Sequence, residues 1–268
     1  MDPSAPLRAS RASAAHKPVI LTYHSIASGR TALETPPALF VEQMEWLKAN
    51  ARVVPLGDVV RSLVAREVLP PRCVILTFDD GFLDFYFAAA PTLYDLGLPA
   101  TVFLPTSFVG GKNDWPGQPS WVRPQPLLNW SQVCELAGKG IDFGSHSATH
   151  YDMTRLSADV LEQELGTSRK EIEQRTGKPA EFFCYPYGMR SPAVREAVMR
   201  HYRGACSTGA GVVEPDADPF ALPRVDIHYL RSRHWFRSLF TRRFEAYIAA
   251  RRMIRRLRGQ PEGSYSRV

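Results

Sequence analysis

Strand and helix patterns alternate along most of this chain, and this alternation restricts the fold more than any other feature of the sequence. Short runs rich in β-branched and aromatic residues are followed by longer segments with apolar residues at helical spacing. The strand pattern occurs at residues 19–24, 74–78, 100–104, 141–144, 181–185, 204–207 and 221–227. Strands that alternate with helices form parallel sheets, because each helix returns the chain to the start of the next strand. The sequence therefore predicts an α/β fold, most simply a (β/α) barrel.

Length and charge divide the chain into three parts. Its 268 residues suit one large domain, since barrels of about 250 residues commonly stay undivided. We predict a disordered leader at residues 1–17, a barrel at residues 18–230, and a basic C-terminal helix and tail at residues 231–268. Residues 231–258 hold ten arginines against one acid, so they account for the net charge of +6. The barrel itself is nearly neutral, and no nucleic-acid partner is expected.

The C-terminal segment also has an amphipathic pattern, with apolar residues spaced among the arginines of residues 238–258. Such a helix either lies on an anionic membrane surface or packs on the barrel with its basic face in water. No apolar run approaches the roughly 20 residues that a membrane-spanning helix needs. Residues 1–17 lack the apolar core of a secretory signal peptide. We therefore expect a cytoplasmic protein, with peripheral membrane contact through the basic helix as one of two open alternatives.

Two adjacent carboxylates, Asp79 and Asp80, directly follow the second strand pattern. Parallel α/β proteins build their sites at the carboxyl ends of strands. Neighbouring carboxylates raise each other's pKa, so a cation or hydrogen bonds must compensate them. The pair indicates either a site with one Asp on a metal and the other acting as a base, or an ordinary turn, which Asp-Asp-Gly also favours.

His146 and His150 follow the fourth strand pattern and are four residues apart. In a parallel barrel the ends of these two strands lie on the same rim, so the histidines and the carboxylate pair are expected to meet. One Asp and two His form a three-ligand set that leaves positions open for water and substrate, as a hydrolytic metal site requires. This set suits Zn²⁺, and Co²⁺, Ni²⁺ or Fe²⁺ accept the same ligands.

Three motifs together resemble the polysaccharide deacetylase family, also known as carbohydrate esterase family four, with its NodB-like domain. They are Thr77-Phe78-Asp79-Asp80, His146-Ser147-x-x-His150 and Tyr185-Pro186-Tyr187-Gly188. The resemblance covers residues 18–228 and implies a distorted (β/α) barrel with about seven strands. It also implies that Asp79 is the general base, that Asp80, His146 and His150 bind a divalent metal, and that the backbone N–H of Tyr187 stabilises the oxyanion.

The chain departs from the family pattern at two positions. The third motif usually begins with an Arg that tethers the base, but Cys184 stands there, and we expect Arg224 to supply the guanidinium from another strand. The late Leu-x-His motif that provides the general acid is also not evident. His24, at the end of the first strand pattern, is preferred to His228 as the acid. This choice resembles the branch that includes biofilm poly-N-acetylglucosamine deacetylases.

The resemblance implies a metal-dependent hydrolase that removes N-acetyl groups from an amino sugar, a polysaccharide or a lipid-linked glycan. Two other functions fit the same residues: an esterase that removes O-acetyl groups from such substrates, and a carbohydrate-binding relative without activity. The retained base and three ligands favour an enzyme, because a silent protein has no use for them.

Two further features are open to interpretation from the sequence. The Pro- and Gly-rich segment at residues 105–130 contains Trp115, Trp121 and Trp130, which either stack on sugar rings or pin the loop to the barrel. Asp84, one turn after Asp80, is expected to be a carboxylate at a helix N-terminus, where the helix dipole favours it.

Overall fold

The structure is a computed structural model that describes residues 17–120 and 122–257. Its strands are β1 (Val19–Tyr23), β2 (Arg52–Val53), β3 (Cys73–Phe78), β4 (Thr101–Leu104), β5 (Asp142–Ser145), β6 (Phe182–Cys184), β7 (Gly204–Ala210) and β8 (Leu222–Asp226). Its α-helices are α1 (Pro37–Asn50), α2 (Leu56–Ala65), α3 (Ala90–Leu96), α4 (Trp130–Gly138), α5 (Ala158–Thr176), α6 (Pro192–His201), α7 (Arg233–Phe236) and α8 (Arg242–Leu257). The predicted leader lies outside the described residues except for Lys17, which forms ion pairs with Glu214 and Glu245.

Seven of the strands close into a parallel barrel. From β3 to β8 each strand pairs with the next one along the chain, and β1 pairs with both β8 and β3 to complete the ring. The two-residue strand β2 pairs with the start of β3, while β4 pairs with its end. The prediction of an α/β barrel with about seven strands in one domain is confirmed.

Alternate side chains of the strands form two separate packed groups. Leu21, Leu76 and their neighbours on one face pack against α1 and α3. Ile20 and Ile75, on the other face, pack with residues of β4, β6, β7 and β8 and with the apolar side chains of α2. The second group therefore fills the barrel interior, and α2 closes its amino-terminal end. This leaves the carboxyl ends of the strands as the open rim, where a site can form.

The helix caps follow local sequence chemistry. Ser157 and Ser191 cap α5 and α6 as their positions predict. The sequence pattern also suggests Ser131 as a cap, but Asn129, two residues earlier, caps α4 and forms a capping box with Gln132. Before α3, residues 85–89 form a π-helical turn, followed by a proline early in α3. A proline has no N–H to continue the regular hydrogen-bond pattern.

In its described part, residues 231–257, the basic C-terminal segment forms α7 and α8, and several of its apolar side chains belong to the core. Phe236, Leu239, Phe244 and Ile248 are buried with the side chains that cover the barrel. Residues 258–268 lie outside the described part of the chain. Among the described helices, none combines the length and apolarity needed to cross a membrane.

Candidate active site

Asp79 follows β3 directly, and Arg224 of β8 binds its carboxylate in a bidentate ion pair. Arg224 Nη1 lies 2.8 Å from Asp79 Oδ1, and Nη2 lies 2.7 Å from Oδ2. The other guanidinium N–H groups donate to the Ser207 carbonyl, the Thr77 hydroxyl and the Cys184 sulfur. All five N–H donors therefore have acceptors, as a buried guanidinium requires. Arg224 thus reaches the Asp79 carboxylate from another strand.

The ion pair controls the ionisation of Asp79. Burial raises the pKa of this carboxyl group, but the charge and hydrogen bonds of Arg224 outweigh burial. His146 and His24 add smaller effects in the same direction, so the pKa of Asp79 lies well below its ordinary range. Asp79 is consequently ionised at neutral pH although it is only 3% exposed.

A register shift in β7 helps to accommodate Arg224. The ladder between β7 and β8 is irregular between Cys206 and Ala210, so backbone groups in this stretch leave the regular pairing. Ser207 lies there, and its carbonyl oxygen accepts from Arg224 Nε at 3.0 Å. Cys184 on β6 contacts the same guanidinium through its sulfur at 3.1 Å. The small Cys184 side chain thus leaves room for an arginine that arrives from another strand.

Asp80, His146 and His150 converge on the open rim of the barrel. Asp80 Oδ1 lies 3.5 Å from His146 Nε2 and 3.3 Å from His150 Nε2. Ligands about 2.0–2.1 Å from a tetrahedral Zn²⁺ lie about 3.3 Å from one another. Burial raises the pKa of Asp80, but a hydrogen bond from His150 and the nearby imidazole charges lower it overall. The spacing and chemistry of these three side chains fit a divalent metal ion.

Different contacts orient the two histidines. His146 Nδ1 lies 2.7 Å from the Cys184 carbonyl oxygen, which can only accept, so Nδ1 carries the proton and Nε2 presents its lone pair to the site. The ring of His150 lies against the indole of Trp115, with ring centres 4.1 Å apart. Trp115 is buried, so it pins its loop to the barrel next to a candidate ligand. Trp121, for which sugar stacking was also considered, lies outside the described residues.

Glu164 of α5 organises the loop that carries both histidines, and the sequence analysis missed it. Its carboxylate accepts from the backbone N–H groups of Ala148 and Thr149, each at 2.9 Å, and from the Thr149 hydroxyl. Ser147 and His150 have φ values of 63° and 56°, which non-glycine residues rarely adopt. The sequence gives little indication of this role, because Glu164 lies 14 residues after His150 and looks like any other polar residue of a helix. Its hydrogen bonds hold the loop in this strained form.

We expect Glu164→Ala to weaken metal binding about 10-fold or more. Residues that hold metal ligands in place through hydrogen bonds commonly contribute that much to metal affinity. The measurement is Zn²⁺ titration by calorimetry at pH 7. Glu171→Ala, about two turns further along α5, serves as the matched control and should bind as the wild type does. Equal affinity in both variants would contradict a role for Glu164 in holding the loop.

Asp79, His146 and Cys184 also lie close enough together to be considered as a metal site. Both oxygens of Asp79 are occupied by Arg224, whose positive charge would repel a cation at that point. Burial and nearby negative charges raise the pKa of the Cys184 thiol well above its ordinary value, although Arg224 opposes them. The set around Asp80 is therefore the better metal site.

Of the two candidate acids, His24 lies next to the base. His24 Nε2 is 3.9 Å from Asp79 Oδ2, and the imidazole is buried at the end of β1. His228 follows β8 and contacts Asp226 and Tyr229. Burial and the charges of Arg231 and Arg251, in the C-terminal segment, lower the pKa of His228, although Asp226 opposes them. The geometry thus places His24, and not His228, beside the predicted base.

Tyr187 lies over the metal-ligand set. Its backbone is left-handed, with φ 55° and ψ 7°, and the next residue, Gly188, has φ 68°. A Cβ on Gly188 would lie 1.8 Å from the Thr208 hydroxyl oxygen, so only glycine fits there. The Tyr187 ring contacts the edge of His150, and burial with the nearby Asp80 charge raises the pKa of its phenol to about 12. The phenol is therefore neutral at pH 7, and the backbone N–H of Tyr187 remains the oxyanion donor that the family resemblance predicts.

The pocket above these residues is narrow, and its lining combines apolar with polar and charged side chains. It is lined by Leu33, Trp115, Gln118, Pro119, Val122, Tyr185, Tyr187 and Thr208 together with Asp79, Asp80, His146 and His150. The pocket thus places an ionised carboxylate and the metal-ligand set next to apolar walls, a combination common in small-molecule sites.

Comparison with known proteins identifies the family. The polysaccharide deacetylase family model matches residues 66–202, which is more than half of the 268 residues. The chain belongs to the polysaccharide deacetylase family. The matched range contains Asp79, Asp80, His146, His150 and Tyr187, whereas His24 and Arg224 lie outside it.

The sequence identity to individual members of the deacetylase family is below 30% for the relatives described next. YxkH of Bacillus subtilis is 28% identical over 210 residues, which are 78% of this chain and 70% of YxkH. The poly-β-1,6-N-acetyl-D-glucosamine N-deacetylase of Staphylococcus epidermidis is 26% identical over 197 residues, which are 69% of this chain and 65% of that enzyme. The chain therefore spans just under two thirds of the staphylococcal enzyme. Among solved structures, the Streptococcus pyogenes deacetylase PplD in complex with acetate is similar, with a TM-score of 0.69, 25% identity, and coverage of 79% of this chain and 92% of PplD.

Proposed function

We propose that this chain is a metal-dependent hydrolase that removes N-acetyl groups from an amino sugar, a polysaccharide or a lipid-linked glycan. One observation carries the proposal: the two neighbouring carboxylates have different partners. Asp80 faces two histidines, while Asp79 is ionised and held by Arg224. A carbohydrate-binding protein without activity has no use for a buried, ionised carboxylate beside a three-ligand set. The staphylococcal relative makes poly-β-1,6-N-acetyl-D-glucosamine the first substrate to test.

Asp80, His146 and His150 would hold the metal, for which Zn²⁺ is the first candidate. When bound, such an ion polarises a carbonyl group and lowers the pKa of a water molecule towards 7. Asp79 accepts the proton of the attacking water. Its depressed pKa makes it a weak base, which explains why it must adjoin a site where water is acidified.

The remaining roles fall to His24 and Tyr187. An amine leaves an amide only when it is protonated, and His24, beside Asp79, is the group placed to donate that proton. The backbone N–H of Tyr187 donates to the developing oxyanion, and its left-handed backbone and the following glycine set the direction of this group.

Acetate release tests the proposed function. The full chain is treated with a chelator, reloaded with Zn²⁺, Co²⁺, Ni²⁺ or Fe²⁺, and incubated with β-1,6-linked N-acetylglucosamine oligomers, chitooligosaccharides and O-acetylated sugars. We expect acetate from N-acetylated substrates, loss of activity after chelation, and its return with metal. Release from O-acetylated sugars alone would assign an esterase, and no release with any metal would assign a silent relative.

We also propose that the end of α8 contacts an anionic membrane from its cytoplasmic side. The first half of this helix packs on the barrel, but Met253, Ile254 and Leu257 near its end are exposed. They lie in the arginine-rich segment at residues 251–258. Exposed apolar side chains among arginines favour binding to anionic lipid surfaces.

Co-sedimentation with vesicles tests this contact. We expect the full chain to bind phosphatidylserine-containing vesicles and the triple variant Met253→Ser, Ile254→Ser, Leu257→Ser to bind about 10-fold less, because the apolar part of the contact is lost. The double variant Val64→Ser, Val68→Ser removes exposed apolar side chains elsewhere and is the matched control. Equal binding by all three proteins would reject the proposal.

A further inference from the structure

Asp84 makes contacts that its expected position at a helix N-terminus does not explain. Its side chain forms no cap hydrogen bond with the helical turn that follows. One carboxylate oxygen accepts from the Ser25 hydroxyl, and the other accepts from the backbone N–H of Ile26 at 3.0 Å. Asp84 therefore stands at the helix N-terminus, as expected, and also connects the turn after β3 to the loop after β1.

These contacts link the two strand ends that carry the predicted base and acid. β1 and β3 are direct neighbours in the barrel, with Tyr23 paired to Phe78. The backbone N–H of Asp79 donates to the Tyr23 carbonyl at 3.0 Å. His24 lies between Tyr23 and Ser25 in the chain. The hydrogen bonds that Ser25 and Ile26 donate to Asp84 therefore fix the chain on the C-terminal side of His24.

The other contacts of this loop lead away from the base. The backbone N–H of Ser25 donates to the Leu33 carbonyl, and the Ser25 carbonyl accepts from the Thr35 N–H, so these bonds join the two ends of one loop. Asp84, by contrast, belongs to the rigid turn that begins at Asp79. In that turn Gly81 has φ 67°, and a Cβ there would lie 2.5 Å from the Leu104 side chain.

Asp84 is also costly to keep at this position. Burial raises the pKa of its carboxyl group, and the hydrogen bonds from Ser25 and Ile26 only partly oppose that effect. A half-buried carboxyl group with a raised pKa adds little to the stability of the fold, so its two hydrogen bonds point to a positioning role.

We propose that Asp84 is a positioning residue for the general acid, because through Ser25 and Ile26 it holds the His24 imidazole beside Asp79. The inference rests on the proposed deacetylase function and on His24 as the acid. It assigns no contact between Asp84 and the substrate.

The test compares two substrates that differ in their need for an acid. Release of an amine from an N-acetylated sugar needs a proton on the leaving group, whereas p-nitrophenyl acetate releases a phenolate that leaves without one. Loss of the acid should therefore lower amide turnover much more than ester turnover. We expect His24→Gln to lower the amide-to-ester ratio of kcat values about 100-fold, within the usual range for general acid catalysis.

Asp84→Leu should lower the same ratio about 10-fold or more. Ser25→Ala removes one of the two hydrogen bonds and should lower the ratio about 3-fold. Asp84→Asn keeps an acceptor, so it should lower the ratio less than Asp84→Leu does. Asp95→Leu, at an exposed position on α3, is the control and should leave the ratio unchanged. Zinc stoichiometry and ester turnover show whether each variant is folded and loaded. If Asp84→Leu does not fold, Ser25→Ala decides.

Two results would overturn the inference. One is an equal loss of amide and ester turnover in the Asp84 and Ser25 variants, which would show a general structural role. The other is an unchanged ratio in His24→Gln, which would remove the acid that Asp84 is proposed to position. Failure of the deacetylase proposal itself is distinct, because the wild type would then release no acetate from any N-acetylated substrate.

Discussion

Asp79→Asn is expected to lower deacetylation about 1000-fold while leaving the bound metal in place. An amide cannot accept the proton of the attacking water, and general bases commonly contribute 10²–10⁴-fold. Asp80, His146 and His150 are unchanged in this variant, so Zn²⁺ binding should persist. The measurement is kcat for acetate release, with metal content determined by atomic absorption on the same sample.

Asp80→Asn is the matched comparison, because it makes the same chemical change at the adjacent residue. This variant should lose both activity and metal, since it removes the only carboxylate of the three-ligand set. A loss of metal in Asp79→Asn as large as that in Asp80→Asn would show that the two carboxylates share the ion, and the division into base and ligand would be wrong.

Arg224→Met is expected to destabilise the protein by about 3–5 kcal/mol, because it leaves the Asp79 carboxylate buried without its partner. Urea unfolding at pH 7 measures the change. Arg224→Lys should recover only part of the loss, since an ammonium group cannot reproduce the planar arrangement of five donors. The double variant Arg224→Met, Asp79→Leu should be more stable than Arg224→Met, because no buried charge is then left unpaired. Equal stability of the single and double variants would contradict this explanation.

The same pair predicts a pH dependence. In the wild type the pKa of Asp79 is lower in the folded state than the unfolded value of about 3.9, so the ion pair stabilises the fold above about pH 4 and this contribution is lost as the pH falls towards the folded-state pKa. In Arg224→Met only the smaller effects of His146 and His24 oppose burial, the largest of the causes, so we expect the folded-state pKa of Asp79 to rise above the unfolded value. The unpaired Asp79 carboxylate therefore destabilises the folded variant at neutral pH, and protonation of Asp79 at acid pH removes this destabilisation. The difference in the free energy of unfolding between wild type and Arg224→Met should therefore shrink as the pH falls. A difference that stays constant with pH would contradict the proposed effect of the ion pair.

Short motifs predicted the centre of the site well, because each motif follows a strand and all strands of a parallel barrel end at one rim. Asp80, His146 and His150 meet as their motifs indicated. The place of Arg224 was also predictable, since a missing tether at Cys184 demanded a replacement and one arginine lay in another strand pattern. The roles of Asp79, His24, Tyr187 and Arg224 remain predictions for the variants to test.

The supporting residues were not predictable, because their partners are far away along the chain. Glu164 reads as one more polar residue of an amphipathic helix, Trp115 as one of several aromatic residues in a loop, and Asp84 as a helix-terminal carboxylate. Nothing local distinguishes them from surface residues. Only folding brings Glu164 to the histidine loop, Trp115 to His150, and Asp84 to the strand end that carries His24.

By itself, the sequence determined the alternation of strands and helices, and with it a parallel barrel whose rim must collect the Asp79–Asp80 pair and the two histidines. That much follows from local patterns, since strand identity and strand direction are set within a few residues. The family resemblance predicted different roles for the two carboxylates, but only the tertiary structure gives them different partners. Asp79 and Asp80 are chemically identical neighbours, and they become different only because a guanidinium from β8 reaches the first and two imidazoles from the loop after β5 reach the second. Ionisation depends on distances to charges and on burial, and these exist only once the barrel has closed.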